Sequence, residues 1–245
     1  TTLTGNITTS GDDAYGLNLT GSDSNTTTLT GDISTEGDDA HGIVFDSGTS
    51  NTMTMSGNIT STGNNIYGIY IITQTSSSIT MSGDITLSDG YGMMILDSDS
   101  NTLTMNGDIT STSGDYAIGA YFVNSDSNSL TVGNITTAGT ISASGIALNN
   151  SDSNTINING QISASGGNSN AIIAYSTSDN NIFTLNQGSV IDGRLHNDGS
   201  NNTLKLNLGA GRSYALETTG SSSWTIEDLN NRPMVTGSAY GIGCR

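Results

Sequence analysis

One Cys, one Pro and one Trp occur among 245 residues, and 5 Lys and Arg stand against 22 Asp and Glu. Each scarcity excludes something. A single Cys, Cys244, forbids an internal disulfide and a thiolate zinc cluster; it reads as a terminal residue, with intermolecular pairing as its one alternative. All five cations fall in the last quarter, at Arg194, Lys205, Arg212, Arg232 and Arg245, so residues 1–193 have none. Nucleic acid and anionic lipid are both gripped by Lys and Arg, and neither is an expected partner. The net charge of −17 suits an extracellular setting and keeps copies apart at low salt. Long apolar runs are also missing. The longest, Tyr67 to Ile72, is interrupted by Gly68 and falls far short of the ~18 residues of a membrane helix. The chain opens without Met and without a basic segment leading into an apolar run, so it is expected to be a processed or excised piece of a longer product.

What is abundant is Ser and Thr, 36 each, with 32 Gly, 28 Asn and 19 Asp. These are weak helix formers that favour caps, turns or strands, so an ordinary α-helical domain is excluded. Composition alone would permit disorder, but the spacing does not. Gly-[Asp/Asn/Gln]-Ile-[Thr/Ser] recurs with its Ile at Ile7, Ile33, Ile59, Ile85, Ile109, Ile135 and Ile162, at intervals of 24 to 27 residues. A disordered polar tract has no reason to keep such a period.

Each period holds three short alternating segments, as in Asn101 to Met105, Gly107 to Thr110 and Ile118 to Phe122. Alternation of two predicts half-buried strands. Three strands per period of 24–27 residues predict an all-β fold, a parallel β-helix of roughly ten coils. At ~4.8 Å per coil, such a rod is about 45–50 Å long. A propeller blade would need four strands and about 40 residues, and a sandwich does not repeat at fixed intervals. Leu3, Leu29, Met53, Met55, Ile79, Met81, Leu103, Met105, Leu130, Val132, Ile156 and Ile158 are expected to stack as one apolar file, with the Ile series as a second. Asn25, Asn51, Asn101, Asn128, Asn154 and Asn181 recur before the first strand, with Ser77 substituting once, and Asn can bond along such a stack. Gly31, Gly57, Gly83 and Gly107, with Gly5, Gly133 and Gly160, mark a corner that needs positive φ or close packing. Residues 1–180 read as regular coils. Residues 181–245, where Trp224 and Pro233 break the rhythm, read as degenerate coils forming a cap or junction.

The repeated S-N-T-L-T-x-x-G-D-I-T coil, seen at Ser100 to Thr110, and the degenerate end around Gly220 to Ile226 resemble the β-helical passenger segments of bacterial autotransporters. The resemblance covers nearly the whole chain. It implies secretion through the outer membrane and display at the bacterial cell surface. The chain shows neither a signal peptide nor a translocator barrel, so the resemblance also implies that other parts have been removed or left out.

Candidate chemistry is sparse. Asp99, Asp126, Asp152 and Asp179 recur in the turn before the Asn file, where stacked carboxylates repel unless screened, protonated or bridged. Calcium is the natural ion for such oxygen ligands, and Asx turns facing water are the plainer reading. Asp32, Asp84 and Asp108 alternate with Asn6, Asn58 and Asn134, which dilutes repulsion. The runs Gly11 to Asp13 and Gly37 to Asp39 read as loop tips. Outward Thr pairs, such as Thr52 with Thr54 and Thr102 with Thr104, resemble the ranks of ice-binding β-solenoids, though Thr is also simply a good strand residue. Tyr15, Tyr67, Tyr70, Tyr91 and Tyr121 form an aromatic strip, for carbohydrate or protein or for packing at the coil edge. His41 falls in the Tyr15, Tyr67 and Tyr91 position and reads as a surface equivalent of Tyr; neither it nor His196 has an evident catalytic partner. No catalytic residue and no resident cofactor are therefore expected. The sequence reads as a non-enzymatic surface rod for adhesion or self-association along a polar face. Its partner would be itself, another cell-surface protein or a glycan. The alternatives are a filament subunit stacked end to end, or a polysaccharide-active enzyme.

Overall fold

The computed structural model describes residues 1–112, 114–207, 213–214, 216–234, 236–237 and 241–243. Cys244 and two of the five cations, Arg212 and Arg245, lie outside the described residues. The fold is all-β: three parallel sheets are wound into a β-solenoid of about eight turns, with three strands and ~26 residues per turn. The first sheet has ten strands, from Thr2–Thr4 to Thr225–Asp228. The second has eight, from Ile7–Ser10 to Val190–Asp192, and the third nine, from Leu17–Thr20 to Glu217–Thr219. The ten expected coils thus run only along the first sheet; eight turns have all three strands among the described residues. A small antiparallel sheet of Ser213–Tyr214, Thr236–Gly237 and Gly241–Gly243 follows.

The register is the sequence period made solid. Ile7, Ile33, Ile59, Ile85, Ile109, Ile135 and Ile162 pair in succession along the second sheet, and Ile191 continues the file. In the first sheet the expected single apolar file resolves into two, because each strand turns two residues inward. Leu29, Met55, Met81, Met105, Val132 and Ile158 form one, and Met53, Ile79, Leu103, Leu130 and Ile156 the other. The third sheet closes the core with Phe45, Ile71, Ile95, Phe122 and Leu148. In the turn 102–123, Leu103, Met105, Ile109 and Phe122 are all buried, at roughly 1.5–3 kcal/mol each. No turn has a core until its neighbours cover it, so stability resides in the stack.

Close approach of the turns explains the corner glycines. A Cβ on Gly31, Gly57, Gly83 or Gly107 would collide with the carbonyl of the glycine one turn earlier, and Gly31 (φ 142°) and Gly57 (φ 147°) also need the left-handed region. A second glycine file, including Gly42, Gly68, Gly92 and Gly119, follows the aromatic positions of the third strand. There a Cβ would strike the Ile side chains of the second sheet.

Candidate functional site

The corner joining the third sheet to the first holds two side-chain ladders. Its backbone turns through left-handed residues such as Ser100 (φ 59°), Ser127 (φ 59°) and Ser153 (φ 59°), and backbone bonding between turns is only partial there: the Ser100 N–H still reaches the Asp126 carbonyl at 2.9 Å. Side chains complete it. Asn128 Oδ1 accepts the Asn101 backbone N–H at 2.8 Å, while Asn128 Nδ2 donates to the Ser98 carbonyl at 2.8 Å. Asn154 and Asn181 repeat both bonds one and two turns on, and Asn202 extends the file beyond its expected end. Each amide thus serves one N–H and one C=O of the preceding turn. The file is buried from Asn51 to Asn202, with Asn25 exposed in the first corner. It is internal structure, so it contributes nothing to an outward polar face.

The acidic file lies beside it, at the water. Asp99 Oδ1 accepts the backbone N–H of Asp126, Asp126 that of Asp152, and Asp152 that of Asp179, each at 2.7 Å. The Asp179 carboxylate in turn accepts the Ser200 N–H at 2.6 Å. One oxygen of each carboxylate is therefore committed to the backbone ladder. Among the described residues, no three His, Cys, Asp or Glu side chains converge as a metal-holding group. Asp32, Asn58, Asp84 and Asp108 form a corresponding ladder at the next corner, each accepting or donating along the stack at 2.8–2.9 Å. The tips at Asp12 and Asp38 do the same at the third corner, where the Asp38 N–H reaches Asp12 Oδ1 at 3.0 Å.

The three outer faces differ. Those of the first and second sheets are nearly all hydroxyl: Thr2, Thr28, Thr54, Thr80, Thr104 and Thr131 share one file, and Thr60, Thr86, Thr110 and Thr136 another. The third sheet is different in turns three to five. Tyr67, Tyr91 and Ile118 stand in one outward file, Tyr70, Met94 and Tyr121 in the next, and Ile72, Leu96 and Val123 in the third. The strands that carry them pack chiefly on neighbouring turns and on the second sheet behind them. This contiguous apolar area was legible only in part, since the sequence singled out its tyrosines without placing Ile72, Met94, Leu96 and Val123 beside them.

The rings form a stacked column. Tyr15, His41, Tyr67 and Tyr91 follow one another with centroids 5.2, 4.5 and 5.4 Å apart and planes within 22°. Tyr70 meets His41 and Tyr67 edge-on, and Tyr121 meets Tyr91 edge-on at 5.6 Å. The faces of His41 and Tyr67 are thereby covered on both sides, which leaves no bare ring face there on which a sugar could stack. His41 matches the tyrosine position as expected but is not a surface residue: it is 5 % exposed, and its Nδ1 accepts the Tyr67 N–H at 3.2 Å. Burial pushes its pKa down to about 4, outweighing the opposing charges of Asp39 and Asp13. Burial likewise pushes the Tyr67 phenol up to about 12.

His196, for which the sequence offered no evident catalytic partner, has two hydrogen-bonding neighbours. Its Nε2 lies 3.0 Å from Asp198 Oδ2 and its Nδ1 3.0 Å from Thr219 Oγ1. The Ser221 backbone N–H, then His196 and the Ser221 hydroxyl, hold the Asp198 pKa down at about 2. The three residue types are those of an acid–base–hydroxyl relay. Their arrangement is a rung-to-rung bond, because His196 and Thr219 are register partners on one outward file. A hollow of about 340 Å³ near the last turn is lined by Thr218, Thr219, Ser222 and Trp224, and one of about 320 Å³ at the opposite end by Asn6, Thr8, Asp32 and Ser34. Among the described residues no helix is long and apolar enough to cross a membrane. No family model, curated protein or solved structure matches this chain.

Proposed function

We propose that this chain is a non-enzymatic β-solenoid rod, secreted or displayed at a bacterial cell surface as autotransporter passengers are, and that it works by adhesion. The carrying observation is the contiguous Tyr, Met, Ile, Leu and Val area on the outer face of the third sheet, on a molecule whose other two faces are ranks of Thr and Ser. Its side chains are half-buried, apart from Met94, which is buried; a partly solvent-facing apolar area of this kind marks a contact surface, and the stacked turns hold it rigid. This moves the expected contact from the polar faces to the aromatic one. Self-association is disfavoured by a net charge of −17.

The test is adhesion of beads coated with the chain to cells and matrix, with Tyr70→Ser/Tyr121→Ser compared with Thr54→Ser/Thr104→Ser. Loss with the first pair and retention with the second supports the reading; equal behaviour of the two pairs overturns it. The filament reading is separated from this one by its state of assembly. Electron microscopy and light scattering, with and without millimolar calcium, decide it: long filaments favour stacking, and discrete short rods exclude it.

A further inference from the structure

We infer that the aromatic face of turns three to five binds a basic, amphipathic polypeptide, one whose apolar side chains are flanked by Lys or Arg. This rests on the reading that the third sheet makes the contact, and it adds the chemistry of the partner. The centre of the face is half-buried Tyr70 and Tyr121 with Met94 buried between them, bordered by Leu96. Carboxylates line both edges. Asp39, Asp89 and Asp115 lie along the corner shared with the second sheet, Asp97 lies in the corner shared with the first, and Asp46 stands beside it at the head of the Ile72 and Leu96 file, one turn earlier. Their field reaches the rings: Asp46 and Asp97 act on Tyr70, Asp39 on Tyr67 and Asp89 on Tyr91, each adding to the burial that raises the phenol pKa. Asp115 also acts on Asp89.

Among the described residues no ion pair reaches that rim. Residues 1–193 contain no Lys or Arg, and the ion pairs Asp198 to His196 and Asp228 to Arg232 lie in the last turns. An apolar strip between two anionic edges selects among partners. A second copy would bring carboxylates against carboxylates. Anionic lipid would be repelled along the same edges. A neutral glycan would gain nothing from the rim, and the ring faces of His41 and Tyr67 are already covered. A basic amphipathic segment meets both requirements, burying its apolar side against the strip and its cations against the edges. Along the strand, the strip from Tyr67 to Ile72 spans about 17 Å, enough for the diameter of one helix.

The test measures binding of the full chain to an 18-residue Lys/Leu amphipathic helical peptide and to its Glu/Leu counterpart, at low and at physiological salt. Thermal melts confirm that each variant is folded. The Lys/Leu peptide should bind and the Glu/Leu peptide should not. Asp46→Asn/Asp89→Asn/Asp97→Asn should weaken binding at least tenfold, as should Tyr70→Ser/Tyr121→Ser. Asp32→Asn/Asp84→Asn/Asp108→Asn removes the same charge from another corner and should change affinity less than threefold. Equal loss from the two Asp triples overturns the inference, since the attraction would then be that of any polyanion. Preferential binding of the Glu/Leu peptide, a neutral glycan or a second copy would also overturn it. If Tyr70→Ser/Tyr121→Ser abolishes bead adhesion while the Lys/Leu peptide does not bind, the adhesive face stands and its basic partner falls. If the peptide binds there and adhesion is unaffected, the adhesive role falls instead.

Discussion

Two ladders climb the same corner two residues apart, one of Asn and one of Asp, and burial is what separates them. The Asn128 amide lies inside the wall, where it must satisfy an N–H and a C=O of the preceding turn together, and only a neutral group with both a donor and an acceptor does that. The Asp126 carboxylate sits at the water, accepts one N–H from the following turn and leaves its second oxygen to solvent. Stacked charges are tolerable there because water and salt screen them. One repeat therefore chooses amide or carboxylate by depth, and the choice concerns structure before it concerns any ligand.

The largest break in that comparison is to put the charge inside. Asn128→Asp keeps the acceptor for Asn101 but turns an anionic oxygen on the Ser98 carbonyl, and should cost roughly 3–5 kcal/mol in urea unfolding. The second break concerns the irregular turn. There Gln74 and Ser77, both buried, stand where the later turns have Ser98 and Asn101, so the longer side chain has moved within the corner. Ser77→Asn alone should lose about 1–3 kcal/mol to crowding. With Gln74→Ser added, most of that should return, and a double-mutant cycle should show at least ~1 kcal/mol of coupling.

The same rule about buried charge gives a pH dependence at His41. Its folded pKa, about 4, lies below the ordinary value of 6.5, so between those values the unfolded chain binds more protons than the folded one. Stability should fall as pH drops from about 6.5 to about 4, by on the order of 2 kcal/mol once screening is allowed for, and be unaffected by this group above that window. Denaturant melts across the range should lose this slope in His41→Tyr. The smallest change is expected outside the wall. Asp126→Asn keeps the acceptor and removes one stacked charge, so stability should move by less than about 0.5 kcal/mol. Any gain should appear at low salt and vanish at high salt. A calcium-dependent melting shift in the parent chain that Asp126→Asn abolishes would instead give the file an ion.

The course of the chain was legible because every turn repeats a local rule. Alternation sets which residues face in, and the Gly-x-Ile-Thr period sets where each corner falls, so the sheets, the Ile file and the Asn ladder could be read from spacing. What the spacing could not supply was lateral placement. The apolar residues before the Gly file looked like one series and are two, because both inward positions of each strand carry them. His41 shares the tyrosine register, yet its burial depends on Tyr15, Tyr67 and Tyr70 closing round it from neighbouring turns. His196 gained Asp198 and Thr219 only when the strand of the next turn lay against it.

The candidate face divides the same way. Its tyrosines were visible as a recurring residue type, while Ile72, Met94, Leu96 and Val123 read as ordinary members of alternating strands until register set them side by side. By itself the sequence determined the coil, its period, the scarcity of cations and the identity of the ladders, since these are properties of one turn repeated. Only the stacked structure decided which ladder is buried, which ring is neutral and which face is apolar, because burial and contact arise between turns 24–27 residues apart and no single turn contains them.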